Sequence, residues 1–157
     1  MIRIFPASPA DAAEILAIQK RAFALEALRS DVPDIPPVTE SLEAVTEHIR
    51  SARVLKAVDG ERIVGSIRGV MSGTVCGIKA LSIELDFQGR GLGSELLAAI
   101  EQAHPEAASF ELFTNAIMEQ NVRFYLRRGY EVIDEFLVHS DQITLKHFRK
   151  VATTSTD

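Results

Sequence analysis

A chain of 157 residues holds one domain with a sizeable core, and its 46% apolar and 25% charged residues are the mixture of a soluble globular fold. The net charge of −5 argues against nucleic acid as the main partner, and no apolar run approaches the roughly 20 residues that span a bilayer. A lone cysteine, Cys76, excludes an internal disulfide, and His48, His104, His139 and His147 show no close ligand spacing, so no metal is expected.

In chain order, Met1 to Ser8 lacks a signal-peptide core, which makes the cytoplasm the expected location. Ser8-Pro9-Ala10-Asp11 reads as a helix start, with Ser8 as N-cap, Pro9 at the first helical position and Asp11 closing a capping box. The helix is expected to run to about Leu25 on a stripe of Ile15, Ile18, Ala22 and Leu25. A loop from Ser30 to Val38, stiffened by prolines, leads to a second helix from Ser41 to Ala52. Val54–Val58 and Ile63–Met71 flank Asp59-Gly60 and predict a hairpin. Ser72-Gly73 turns the chain into a third antiparallel strand, Val75–Leu85. After a glycine-rich turn a helix runs to about Ala103, before Pro105. A strand at Ala108–Thr114, a helix at Met118–Arg128 ended by Gly129, and a hairpin of Tyr130–Val138 and Ile143–Lys150 complete the domain, 1–150. Residues 151–157 read as a polar, frayed tail.

The turn is the most informative segment. Gly89, Gly91 and Gly93 keep side chains away, so backbone N–H groups can point at a ligand, and the following helix start adds spare donors and partial positive charge. No carboxylate lies between Phe87 and Ser94, and Arg90 sits among the glycines. The segment reads as a pyrophosphate cradle. Two alternatives stand beside it. The glycines can merely shape a tight strand-to-helix connection. A dinucleotide fingerprint also starts Gly89-x-Gly91, but Ser94 occupies the place of its third glycine, and three successive strands without an intervening helix do not build the repeated βαβ units that fold needs.

Gln88-Gly89-Arg90-Gly91-Leu92-Gly93 fits the Q/R-x-x-G-x-G/A motif, and Asn121 to Tyr125, followed by Gly129-Tyr130, fits N-x-x-x-Y with an aromatic after glycine. On these two motifs and this element order, the chain resembles the GNAT superfamily of acetyl-CoA-dependent N-acyltransferases from about Ile2 to Lys150. Leu85 stands where that family often has proline. The resemblance implies an α+β fold, a twisted, mostly antiparallel sheet of about seven strands flanked by about four helices. It implies direct acetyl transfer from acetyl-CoA to a primary amine of a small molecule or peptide, with no metal. A homodimer is expected with it, its seam on Ile133, Phe136, Leu137, Val138 and Phe148 of the last hairpin. A non-catalytic acyl-CoA-sensing module is the alternative.

The resemblance also assigns residues. Backbone from Gln88, Gly89, Arg90, Gly91, Leu92, Gly93 and Ser94 would hold the pyrophosphate. Ile83 and Leu85, on a strand expected to splay from its neighbour, would meet the pantetheine amides, with Asn121 nearby. Tyr125 would serve the departing thiolate as general acid; read from the residues alone, it is also a core aromatic beside Val122 and Leu126. The base that takes the acceptor's proton stays open among Glu26, Glu84, Glu111 and water. Asp31, Asp34 and Glu26 hint at a cationic acceptor. Cys76 has no sequence partner to activate it and is discounted as a nucleophile.

Overall fold

Hydrophobic alternation and turn chemistry set most of the architecture. In the computed structural model, which describes residues 1–153, seven strands form one sheet in the order β1-β2-β3-β4-β5-β7-β6. The strands are β1 Ile2–Pro6, β2 Arg53–Asp59, β3 Arg62–Ser72, β4 Val75–Ile83, β5 Ser109–Asn115, β6 Glu131–Val138 and β7 Ile143–Val151. Every neighbouring pair is antiparallel except β4 with β5. The helices are α1 Ala12–Ser30, α2 Pro36–Thr39, α3 Leu42–Ser51, α4 Leu92–Gln102 and α5 Glu119–Arg127. The expected α+β class, about seven strands and about four helices, is therefore present, with seven strands and five α-helices among the described residues.

Two cores sandwich the sheet. On one face Leu92, Leu96, Leu97 and Ile100 of α4 pack on Val64, Ile67, Ile78 and Phe110, with Val122 and Tyr125 of α5 at the margin. On the other, Ile15, Leu16 and Ile18 of α1 meet Val45, Val54 and Ile63. A third cluster, Val32, Ile35 and Ile143, pins the segment after α1 to the last hairpin.

Several element ends differ from expectation. The Ser8–Asp11 box forms, with Ser8 N donating to Asp11 Oδ2 at 2.8 Å, but its first turn is 3-10. α1 runs five residues past Leu25, because Glu26 to Arg29 are good helix formers and the stop arrives only at Asp31, which is left-handed at φ 55°. α2 lies inside the expected loop: Pro36 and Pro37 pre-set the φ of one helical turn. β4 ends at Ile83, and Leu85–Phe87 form a 3-10 turn, so Leu85 is outside the strand. At the C-terminus Val151 is still in β7 and Ala152 N donates to Ala108 O at 2.9 Å, so pairing reaches into the expected tail. Residues 154–157 of that tail lie outside the described residues.

Candidate active site

The sheet opens where the parallel pair β4–β5 fails. β4 and β5 pair solely between Val75–Gly77 and Ser109–Glu111 and then diverge. A bulge bends β4 at the same place. Ser66 faces Ser82 and Arg68 faces Lys79, so Ile67 opposes both Ala80 and Leu81, with Ala80 at φ 57°. The divergence opens a cleft of about 1180 Å³. Glu84 N donates to Val64 O of β3. By the alternation of strand backbone, the N–H and C=O of Ile83 then point to the other edge, into the cleft.

One wall of the cleft is the glycine turn. Gly89 (φ 78°) and Gly91 (φ 81°) take left-handed conformations, and a Cβ at either would meet nothing within 4 Å of protein. The space beside both glycines is therefore open. At Gly93 a Cβ would lie 3.4 Å from the Phe124 ring. Gly91 caps α4, whose first intrahelical bond runs from Glu95 N to Gly91 O. The N–H groups of Leu92, Gly93 and Ser94 thus have no acceptor inside the helix. The Leu92 side chain is core, which leaves its backbone for the cleft side. Gln88 donates from Nε2 to Ile83 O at 3.1 Å and ties the turn to the strand end.

Ten of the eleven residues singled out for the cofactor and the chemistry border this one cleft: Ile83, Leu85, Gln88, Gly89, Gly91, Leu92, Gly93, Ser94, Asn121 and Tyr125. Arg90 does not. Its guanidinium stacks over the Phe87 ring, 4.8 Å from the centroid, which draws the charge out of the cradle. The cleft also carries Arg123, Arg127 and Arg128 of the α5 region. Arg128 lies 3.8 Å over the Phe124 ring and donates to Phe124 O.

Tyr125 sits in an aromatic group, with ring centroids of Phe124, Phe148 and Tyr130 at 5.1, 5.8 and 5.9 Å. Burial, and secondarily the nearby Glu26 charge, push its phenol well above the ordinary tyrosine value. The hydroxyl is therefore protonated throughout the physiological range.

The opposite wall belongs to α1, the segment after it, and β3. Glu26, half-buried, borders the cleft; burial lifts its carboxyl above the usual range, and a hydrogen bond with Asn115 partly offsets this. Asn115 also donates to Ser30 Oγ at 2.7 Å. Glu40 accepts from Gln19 Nε2 at 2.9 Å, meets His48 Nε2 at 3.0 Å and faces the Arg68 guanidinium. Burial raises the Glu40 carboxyl, but Gln19, Arg68 and His48 together outweigh it and hold it below its usual value.

A model of the acetyltransferase (GNAT) domain matches residues 33–151. The chain belongs to the GNAT acetyltransferase family. Its fold is similar to that of the PaiA N-acetyltransferase of Thermoplasma acidophilum, solved in complex with coenzyme A, at a TM-score of 0.84 and 14% identity over 97% of this chain and 99% of that one. The ribosomal-protein-S18-alanine N-acetyltransferase of Escherichia coli superposes at a TM-score of 0.80 and 12% identity, covering 100% and 97%. YncA of Salmonella typhimurium, solved with its cofactor acetyl-CoA, gives 0.78 and 15%, covering 100% and 98%. No curated protein sequence matches at a significant level.

Within this GNAT domain the other acidic candidates sit away from the cleft. Glu84 is bound by Arg21 through two hydrogen bonds of 2.8 and 2.7 Å, which hold its carboxyl below the usual range. Glu111 pairs with His147 Nε2 at 2.6 Å on β7. Asp31 caps α1 and Asp34 is exposed, and neither borders the cleft. Cys76 is buried, which pushes its thiol to about 11. Sequence reasoning missed Gln19, Glu40, Arg68 and Asn115. Only Arg68 left a trace, as a lone charge within the otherwise uncharged run Ile63–Met71. Among the described residues no group of three potential ligands could hold a metal ion, and no helix is long and apolar enough to cross a membrane.

Proposed function

We propose that this domain transfers an acetyl group from acetyl-CoA directly to a primary amine of a small molecule or peptide. The observation that carries the reading is the convergence of three features on one cleft: the diverging edges of β4 and β5, the left-handed glycines ahead of α4, and Tyr125. Bound acetyl-CoA would supply an activated acetyl group as a thioester.

The chain's own groups divide the remaining work. The N–H groups of Leu92, Gly93 and Ser94, with the backbone from Gln88 to Gly91, would bind pyrophosphate by charge-assisted hydrogen bonds. The inward-facing Ile83 backbone would bind a pantetheine amide by strand-like pairing, with Asn121 across the cleft. Tyr125 would donate its O–H to the sulfur. Because burial raises its pKa, the phenol stabilises the leaving group more by a strong hydrogen bond than by complete proton transfer to a thiol of pKa about 8.5. Glu26, with a raised pKa, would accept the proton of the acceptor ammonium, directly or through water.

A cytoplasmic location belongs to this reading as well. The homodimer belongs to the same reading, but its seam narrows to the exposed Ile133, Phe136 and Leu137 of the edge strand β6, because Phe148 is fully buried in the core and Val138 is half-buried; a strictly monomeric species in light scattering would remove it. The decisive test is thiol release from acetyl-CoA against a panel of amines and peptides. Turnover dependent on an amine supports transfer, whereas tight acetyl-CoA binding without turnover on any acceptor favours the sensing module.

A further inference from the structure

The wall of the cleft opposite the glycine turn holds two cations that acetyl transfer does not itself require. Arg68 projects from β3 and is 9% exposed, yet it borders the cleft. A guanidinium offers five N–H donors in a fixed fork. Arg68 places two of them on Glu40, at 3.4 and 3.5 Å, the outer limit of hydrogen bonding, and its Nε–H has no protein acceptor. Glu40 is held more closely elsewhere, by Gln19 at 2.9 Å and His48 at 3.0 Å. A buried guanidinium so loosely satisfied is costly to keep for packing alone.

Lys79 lies directly opposite Arg68 in the β3–β4 register and also borders the cleft. Directly opposed residues on one sheet face have Cβ atoms about 5 Å apart, near enough for both cations to hold one anionic group. Against the single Glu40 carboxylate, the pair leaves this corner net positive. Lys79 immediately precedes the bulge at Ala80, from which β4 continues along the cleft to Ile83 and the glycine turn. Glu26, which borders the same cleft, supplies the negative charge an ammonium would meet.

We propose that Arg68, assisted by Lys79, binds a carboxylate of the acceptor, so that the acceptor class is amino carboxylates rather than polyamines. The inference rests on the acetyl-transfer reading. It accounts for a buried, fork-shaped donor, which suits a planar carboxylate and has no use for a polycation.

The test measures kcat/KM by thiol release for free L-amino acids and for ω-amino acids, each beside its carboxamide, with diamines as a third group. The expected result is at least a tenfold preference for acids over their amides in the wild type. Arg68→Gln should remove that preference, Arg68→Lys should restore part of it, and CoA should still raise the melting temperature of both variants. A merely structural Arg68 would change stability without changing the acid-to-amide ratio. Equal use of acids and amides, a preference for diamines, or a preference surviving in Arg68→Gln would each overturn the proposal and leave acetyl transfer standing. Should no acceptor turn over, N-acetyl amino acids and their amides are titrated onto the CoA complex, where binding that ignores the carboxylate, or no binding at all, overturns it. Failure of CoA itself to bind would instead remove the acetyl-transfer reading.

Discussion

The two walls of the cleft are built on opposite plans. The cofactor wall is largely one contiguous stretch, Ile83 to Ser94, with Asn121 and Tyr125 added from α5. On the proposed reading it would work mainly through backbone, since phosphate needs N–H groups and space, which glycines and a helix start supply locally. The acceptor wall gathers Gln19 and Glu26 from α1, Glu40 from beyond α2, Arg68 from β3 and Lys79 from β4. On the same reading it would work through side chains whose meeting depends on the packing of the whole sheet. A backbone device is written in consecutive residues, whereas a side-chain constellation exists only after long-range assembly.

The sharpest break of the cofactor wall is Gly91→Val. At φ 81° a β-branched residue is strained, and its side chain would enter the open space beside the N–H donors. Loss of two hydrogen bonds to a charged group costs about 3 kcal/mol, so CoA affinity should fall by roughly 10²-fold in calorimetric titration. Unchanged affinity in a folded variant would falsify the cradle. NAD binding in its place would revive the dinucleotide reading.

Tyr125→Phe comes next and acts at the junction of the two walls. The ring keeps its contacts with Phe124 and Phe148, so CoA affinity should hold while the maximal rate falls. General acid catalysis contributes about 10²- to 10⁴-fold, which makes at least a tenfold loss of kcat the expected outcome. A variant within twofold of wild type, with chemistry shown to limit the rate, would leave Tyr125 a packing residue.

The contrast explains what could be read before folding. Element order and nearly every strand were legible, because Asp59-Gly60, Ser72-Gly73 and Gly129 punctuate alternating apolar runs. The stop of β4 at Ile83 was not, since the 3-10 turn at Leu85–Phe87 continues an apolar run that reads as strand. Glu84 and Glu111 looked like base candidates because they lie on the two strands expected to flank the site. Their partners Arg21 and His147 come from remote elements and draw both carboxylates away. Glu26 reaches the cleft from a part of α1 that the apolar stripe does not mark. Arg68 was visible only as an oddity, a charge inside a buried strand, and its meaning depends on Glu40, 28 residues earlier.

Glu26 gives the acceptor wall its own measurement. Its folded pKa is raised by burial, so the deprotonated base is lost as pH falls through a value above the ordinary carboxylate range. The acid limb of kcat/KM in wild type should therefore lie above about 4.3, the reference for glutamate. Glu26→Gln should lower kcat/KM about tenfold near neutral pH and abolish that limb. The raised Tyr125 pKa puts no basic limb from this residue below pH 10. A limb unmoved in Glu26→Gln would transfer the base role to water.

The smallest effect tests what holds the two walls together. Glu84 follows β4 at the cofactor end, and Arg21 lies on α1, so their ion pair spans the walls, with the Arg62 guanidinium 3.6 Å away. The hydrogen bond from Arg21 comes first in depressing the Glu84 pKa. A depressed folded pKa means the contribution is fully present above the unfolded carboxylate value and is lost as pH falls through the folded one. Arg21 is half exposed, so solvent screening limits the pair to about 1 kcal/mol. Glu84→Gln should accordingly lower Tm by roughly 2–4 °C at pH 7, for a domain of this size, and by less below the carboxylate range, where wild type has already lost the charge. Because the pair touches neither wall's chemistry, kcat/KM should stay within about twofold of wild type. A large loss of activity without loss of stability would instead make the Arg21–Glu84 pair a positioning element, setting the width of the cleft rather than merely bracing it.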